Sequence, residues 1–415
     1  MKRIIFISVL WFMISGTAVF AQGELIPLKF SGYVRNYTGM LTERPNDFSI
    51  IQNTFNLNIE HHSDKIGMKV NPYLYHYFDR ELELGLREAY LDLYFKNFDL
   101  RIGKQQIIWG KAEGVFITDV VSPKDLREFL LPDFDEIRTG ITAVKAYYYF
   151  GNNTLEAVWA PVFTPTQMPE TGSVWSPKME FLFPPVFDYT NAEIKASLEN
   201  SELFLRFSAM GSKMDYEIVG GTFFYDDPVM RITPLINPVN MQPTGLLVAP
   251  EYHRVAMAGG SLSLPLGAVV VRAEGAYYSG RNFQTTQAGI SGVLFEKDNL
   301  HYMAGIDFTL AGVKLSTQFI QEHILNYEEG IQNEEFETTM TFLAKKDFLR
   351  EKLWVELFGY VGLNTSDALV RPKLTYSIAD GFEIQAGANL FFGDKGRFGQ
   401  YDKNDMVYLK LKYSF

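Results

Sequence analysis

The chain has 415 residues, a net charge of -11 and no cysteine, so neither the basic stripe of a nucleic-acid binder nor a disulfide framework is available to it. Aromatic residues make up 15% of the sequence, with 34 Phe and 23 Tyr, yet mean hydropathy is only -0.06. That combination is expected of a membrane β-barrel, whose apolar signal per segment is weak.

The first 21 residues read as a secretory signal peptide. Lys2 and Arg3 precede an apolar run from Ile4 to Ile14 broken only by Ser8, and Val19-Phe20-Ala21 supplies a cleavage site. The run falls short of the roughly 20 residues a membrane-spanning helix needs; a retained N-terminal anchor is the alternative. Residues 22–415 are then expected to form one exported unit in the outer membrane.

Period-two alternation follows along most of the chain. Phe55, Leu57 and Ile59 oppose Asn56, Asn58 and Glu60; Leu91 and Leu93 oppose Tyr90, Asp92 and Tyr94; Leu205 and Phe207 oppose Arg206 and Ser208. Later segments repeat it, with Val355 and Leu357 against Trp354 and Glu356. Short turns are expected at 61–65, 96–97, 151–153, 199–201, 264–267, 311–312, 348–352 and 379–381. Longer connections are expected near 110–138, 163–189, 212–250 and 280–296, the stretch 212–250 either hiding a hairpin or being all loop. Alternating short and long links describe an all-β, transmembrane antiparallel barrel of about 18 strands, with about 16 the alternative. The alternation turns Arg35, Tyr90, Tyr94, Arg101, Arg206, Arg272, Arg371 and Lys373 into the lumen as candidate wall residues.

The stretch LRIGKQQIIWGK carries Gly103-Lys104-Gln105 and then Trp109-Gly110. Between Leu100 and Arg138 the chain resembles porin-like outer-membrane barrels of Gram-negative bacteria. It is most similar there to a broadly distributed uncharacterised family, itself distantly similar to alginate-export and phosphate-type porins. The resemblance implies a monomeric or trimeric barrel for passage of small molecules, and it implies no particular solute.

The loop 110–138 is the third outer connection, and it is expected to fold inward as a constriction or plug. Ser122-Pro123-Lys124-Asp125 reads as the start of a short helix, with Ser122 as cap and Pro123 in the first turn. Leu126, Phe129 and Leu130 would form its apolar stripe against Tyr90 and Tyr94, and Pro132 would end it. The charged set Asp119, Lys124, Asp125, Arg127, Glu128, Asp133, Asp135, Glu136 and Arg138 would face the basic wall, either setting selectivity or simply tying the loop down. An ordinary surface cap is the alternative.

Two further loops are unusually apolar. Trp175, Phe181, Phe183 and Phe187 are candidates for an outer vestibule, and residues 232–250 hold a second apolar run. Packing of these residues on one another as a lid is the competing account. At the other end, Tyr413 and Phe415 alternate with lysines in MVYLKLKYSF and resemble the signal read by the barrel-assembly machinery.

These features predict a channel or transporter for small molecules, hydrophobic or amphipathic ones first, with a general diffusion porin for hydrophilic solutes as the alternative. A blocked barrel serving adhesion or structure belongs to another class. An enzyme is not expected: there is no Gly-x-Ser-x-Gly elbow, and the six histidines show no metal-binding spacing. No cofactor or metal is anticipated. The expected partners are a small solute, outer-membrane lipid and the assembly machinery, and not nucleic acid.

Overall fold

A computed structural model describes residues 27–44, 47–177, 181–190, 192–285 and 292–415. The expected signal peptide lies outside the described residues. The first strands are β1 (Lys29–Leu41), β2 (Phe48–His62), β3 (Ile66–Tyr77), β4 (Glu83–Tyr94), β5 (Phe98–Gln105), β6 (Ile141–Phe150) and β7 (Asn153–Ala160). Then come β8 (Pro185–Phe187), β9 (Glu202–Met210), β10 (Asp215–Phe224), β11 (Val229–Ile236), β12 (Pro243–Glu251), β13 (Arg254–Leu266) and β14 (Val269–Gln284). The chain finishes with β15 (Leu294–Leu310), β16 (Val313–Ile324), β17 (Phe336–Phe348), β18 (Leu353–Gly362), β19 (Asp367–Ala379), β20 (Phe382–Phe392) and β21 (Met406–Ser414). Two one-turn helices, α1 (Phe134–Ile137) and α2 (Gly396–Gly399), lie between strands.

All strands except β8, β11 and β12 join one 18-stranded antiparallel sheet. The last strand pairs with the first, from Tyr33 opposite Ser414 to Leu41 opposite Met406, so the sheet closes and no edge is left unpaired. The alternation is turned inside out relative to a soluble protein. Ile218, Leu374 and Leu409 point outward and exposed, whereas Asn56, Glu274 and Gln318 are buried inside. That is the arrangement of a wall with lipid outside and polar groups within.

Two details of connectivity differ from the sequence reading. Among the described residues no barrel-wall strand lies between β7 and the turn expected at 199–201: the chain from 161 to 201 is one outer connection carrying only the short β8, and β9 pairs back with β7. Glu-Asn-Ser has turn chemistry, but here it closes a long loop. The region 212–250 divides instead. A short turn at 211–214 leads into the barrel strand β10, and the hairpin β11–β12 follows above the wall. There β12 also pairs in parallel with β8, making a separate three-stranded sheet over the outer mouth.

Candidate functional site in the barrel lumen

The chain leaves the wall after Gln105 and re-enters it at Ile141. In between, it crosses the lumen. Its first leg is apolar: Ile107, Trp109, Val115, Ile117 and Val121 pack on inward side chains such as Val158, Phe204, Phe223, Met257 and Ile320. The backbone of this leg cannot use strand partners, so wall side chains supply them. Glu274 of β14 accepts the N–H groups of Ala112 (2.9 Å) and Thr118 (2.8 Å), and also that of Lys111. Gln318 of β16 accepts the Glu113 N–H and donates to the Glu113 carbonyl, both at 3.0 Å. Tyr278 donates to the Ile117 carbonyl and Tyr360 to that of Gly114, while Arg272 donates to the Lys111 carbonyl.

Two glycines permit this approach. Gly110 has φ +79, and a Cβ there would lie 2.5 Å from the Glu274 carboxylate. Gly114 has φ +83, and a Cβ would meet the Tyr360 hydroxyl at 2.7 Å. Both positions are left-handed and crowded, so glycine is required twice over.

The neck of the loop is tied to itself. Asp119 and Arg138 form a buried pair at 2.6 Å, and Asp119 also accepts the Trp109 N–H. Burial pushes the Asp119 carboxyl above its ordinary range, although Arg138 draws it the other way. Ser122 is not a helix cap: its hydroxyl accepts the Ile107 N–H at 2.8 Å. The expected helix is absent, because Lys124 and Asp125 are extended and bridge to Arg138 and Gln167. Phe129 then takes φ 53, which ends its single turn before Pro132 is reached. The one helical turn is α1, further along, and it holds Asp135 and Glu136.

The second leg carries most of the charge. Arg35 of β1 holds Glu136 through two contacts of 2.9 Å, and Lys410 of β21 holds Asp133 at 3.1 Å. Burial opposes ionisation of both acids, but these cations keep each carboxyl below its usual range. Arg371 donates to the carbonyls of Leu130 and Leu131. Arg127 bridges Asp125 and Glu83 of β4. Lys124 is held above the ordinary lysine value: burial works against its charge, and Asp227 and Asp226 more than compensate. Glu128 joins three outer connections, facing Arg80 at 3.3 Å and accepting the Trp175 indole N–H at 3.1 Å. Burial pushes its carboxyl up to about 7.

The other predicted residues fall as follows. Arg101, Arg206 and Lys373 pair with wall carboxylates, Asp92, Glu156 and Glu356, rather than with the loop. Tyr90 lies under the Arg101 guanidinium at 3.8 Å and the Tyr94 hydroxyl donates to Asp92, so both sit toward the short-turn end. Tyr90 and Tyr94 therefore do not receive the apolar stripe. Leu126, Phe129 and Leu130 pack instead with Tyr37, Tyr75, Tyr77 and Tyr408. Arg272 pairs with Glu113 and Asp307. Among the vestibule residues, Trp175 is only 1% exposed, wedged between Phe391 and Tyr401. It reaches inward because the Asn404 amide and the Tyr401 hydroxyl bind its loop's backbone. Phe183 and Phe187 are exposed at the outer sheet, and Phe181 packs against the core of that sheet. Tyr413 and Phe415 face outward, Phe415 stacking on Phe55. Glu274 and Lys410 were legible as inward-facing from alternation; Gln318 and Tyr278 had no distinguishing sequence signal.

Cavities with charged and amide side chains in their walls lie on both sides of the loop. The outer one, about 540 Å³, is lined by residues such as Arg281, Gln332, Glu337, Asn364 and Arg397. Two inner ones, about 560 and 590 Å³, meet at Asp133 and Gln385. Among the described residues, none lines both the outer cavity and either inner one.

The sequence profile of a family described as a protein of unknown function (DUF1302) matches residues 52–344. No curated protein matches the sequence at a significant level. Solved barrels resemble the fold. OccK2 (OpdF) of Pseudomonas aeruginosa, in complex with glucuronate, superimposes with a TM-score of 0.58 at 12% identity, covering 95% of this chain and 99% of that one. OpdK of the same organism with vanillate gives 0.57 at 10% identity, covering 95% and 100%. Acinetobacter baumannii OccAB4 gives 0.56 at 11% identity, covering 94% and 97%. The chain shares with them the 18-stranded outer-membrane porin fold.

Proposed function

The chain belongs to the DUF1302 family, and from that premise we propose that it is an outer-membrane channel for small molecules, closed at mid-height by the loop 106–140. One observation carries the proposal: this loop bonds to β1, β14, β16, β18, β19 and β21, and so reaches across the whole barrel. The charged residues of the loop act first as anchors, and selectivity follows from what opens when they release.

The preferred solute is amphipathic. Leu182, Val186, Phe187 and Val239 offer exposed apolar surface at the mouth, while charged and amide side chains line the cavities beneath. OccK2 and OpdK were solved with glucuronate and vanillate, which supports a solute of that size. A general diffusion porin for hydrophilic solutes is the second reading, favoured by the amide and charged side chains that line all three large cavities. Export through a cleaved signal peptide and delivery through Tyr413 and Phe415 complete the proposal.

The test is conductance of the refolded barrel in planar bilayers, beside a form lacking residues 112–138. Low or rare conductance from the full chain and large steady steps after deletion are expected. Large ohmic steps from the intact barrel would overturn the closed loop, and silence from both forms would overturn the channel. Uptake of paired apolar and polar solutes by expressing cells then decides the preference.

A further inference from the structure

The outer cavity carries an unusual inventory of charge. Arg281 and Arg397 face Asp227, Glu334, Glu337 and Asp367 around its wall, so carboxylates outnumber guanidinium groups. Several of these are already committed. Arg281 is paired with Glu322. Asp367 accepts the N–H groups of Phe398 at 2.7 Å and Gly399 at 3.3 Å, and Lys124 is the main counter-charge of Asp227. Among the described residues, Arg397 and Glu337 form no ion pair, although Arg397 is the strongest charge acting on Glu337. Opposite charges that feel each other across a cavity without touching leave a gap to be bridged. Gln284, Gln332 and Thr339 line the same space with further donors and acceptors.

We propose that the outer cavity is a capture site for a small zwitterion, with its carboxylate on Arg397 and its ammonium on Glu337. The proposal rests on the channel reading in its second form, for hydrophilic solutes, and names the class of solute captured at the outer mouth. Arg397 offers a planar fork of donors suited to a carboxylate, and the excess of acid around it requires a cation on the ligand. Two charge-assisted hydrogen bonds in a partly enclosed space outweigh either alone. A neutral sugar would leave both protein charges unpaired, and a simple carboxylate would bring a further negative charge to an acidic cavity. The volume of about 540 Å³ lies in the range of ordinary small-molecule sites.

The experiment is titration calorimetry of the full barrel in detergent with L-glutamine, and with butyrate, butylamine and glucose as controls. L-glutamine is expected to bind at least about ten-fold more tightly than any control, a difference worth about 1.4 kcal/mol. Arg397→Gln should weaken L-glutamine and butyrate. Glu337→Gln should weaken L-glutamine and butylamine while sparing butyrate. Arg397→Lys should restore part of the binding, and heat-modifiable migration shows that each variant is folded. Binding of glucose or butyrate as tightly as L-glutamine would overturn the proposal, as would L-glutamine binding that is absent or indifferent to both substitutions. Bilayer conductance separates the two levels: a barrel that conducts and does not bind L-glutamine loses the capture site and keeps the channel, whereas silence after deletion of 112–138 removes the channel.

Discussion

Glu274 gathers three backbone N–H groups and the Thr118 hydroxyl onto one carboxylate. Because the leg it holds has no strand partner, these are the bonds that keep its donors from being stranded in the lumen. Glu274→Gln replaces one acceptor oxygen with a donor facing donors. The expected cost is about 2 kcal/mol, the scale of a hydrogen bond to a charged group, and it falls on the loop rather than on the wall. Single-channel recording should show longer open periods, with heat-modifiable migration unchanged. An unaltered open fraction would mean that the apolar packing of Trp109, Ile117 and Val121 alone holds the leg. Alternation marks Glu274 as inward-facing, but its three partners lie more than 150 positions away, and no local pattern records such a distance.

Among elements, the outer connections 78–82, 106–140 and 161–201 converge on Glu128 through Arg80 and Trp175. Glu83 and Arg127 with Asp125 stand beside it, and Tyr37 and Tyr77 complete its surroundings. The seated loop holds the Glu128 proton up to about pH 7, against an ordinary value of 4.5. Seating is therefore favoured below that ordinary value, and the advantage is lost as pH rises through about 7. Open probability should rise between pH 5 and pH 8, as read by conductance, and Glu128→Gln should flatten the profile. A rise that persists in Glu128→Gln would assign the titration elsewhere.

The strands themselves were readable from period-two alternation, since lipid and lumen impose opposite demands on neighbouring side chains. The loop was readable only as far as its direction. Ser-Pro-x-Asp has capping chemistry and so points to a helix, while the left-handed Phe129 that ends the turn is set by Tyr401, Phe391 and Phe398 packed around its ring. The inward seat of Trp175 is hidden from local sequence for the same reason: the ring contacts that draw it inward come from Phe391 and Tyr401, far along the chain.

For the molecule as a whole, closure depends on β21 meeting β1 along nine paired positions. Phe415 extends that seam, exchanging backbone hydrogen bonds of 3.0 Å with Gly32 and stacking on Phe55. Deleting Phe415 should reduce the heat-modifiable barrel in outer membranes several-fold while leaving refolding in detergent nearly intact. Equal losses in both would assign Phe415 to the stability of the seam instead of to delivery. The inverted surface, apolar outside and polar within, also fixes where substitutions are tolerated: a lysine in place of an outward residue such as Ile218 or Leu374 should cost more than one at an inward position of the same strand.

The bond between Tyr360 and Gly114 spans 246 positions, and those from Arg371 to Leu130 and Leu131 span nearly as many. Contacts of such sequence separation form slowly, because the intervening chain must first be ordered. The crossing loop can therefore be seated only after β18 and β19 have arrived, close to the moment when the ring closes. Until then its second leg has half a wall to lean on, and a nascent sheet with Phe129, Leu130 and Leu131 uncovered is the form of this chain that most needs a chaperone.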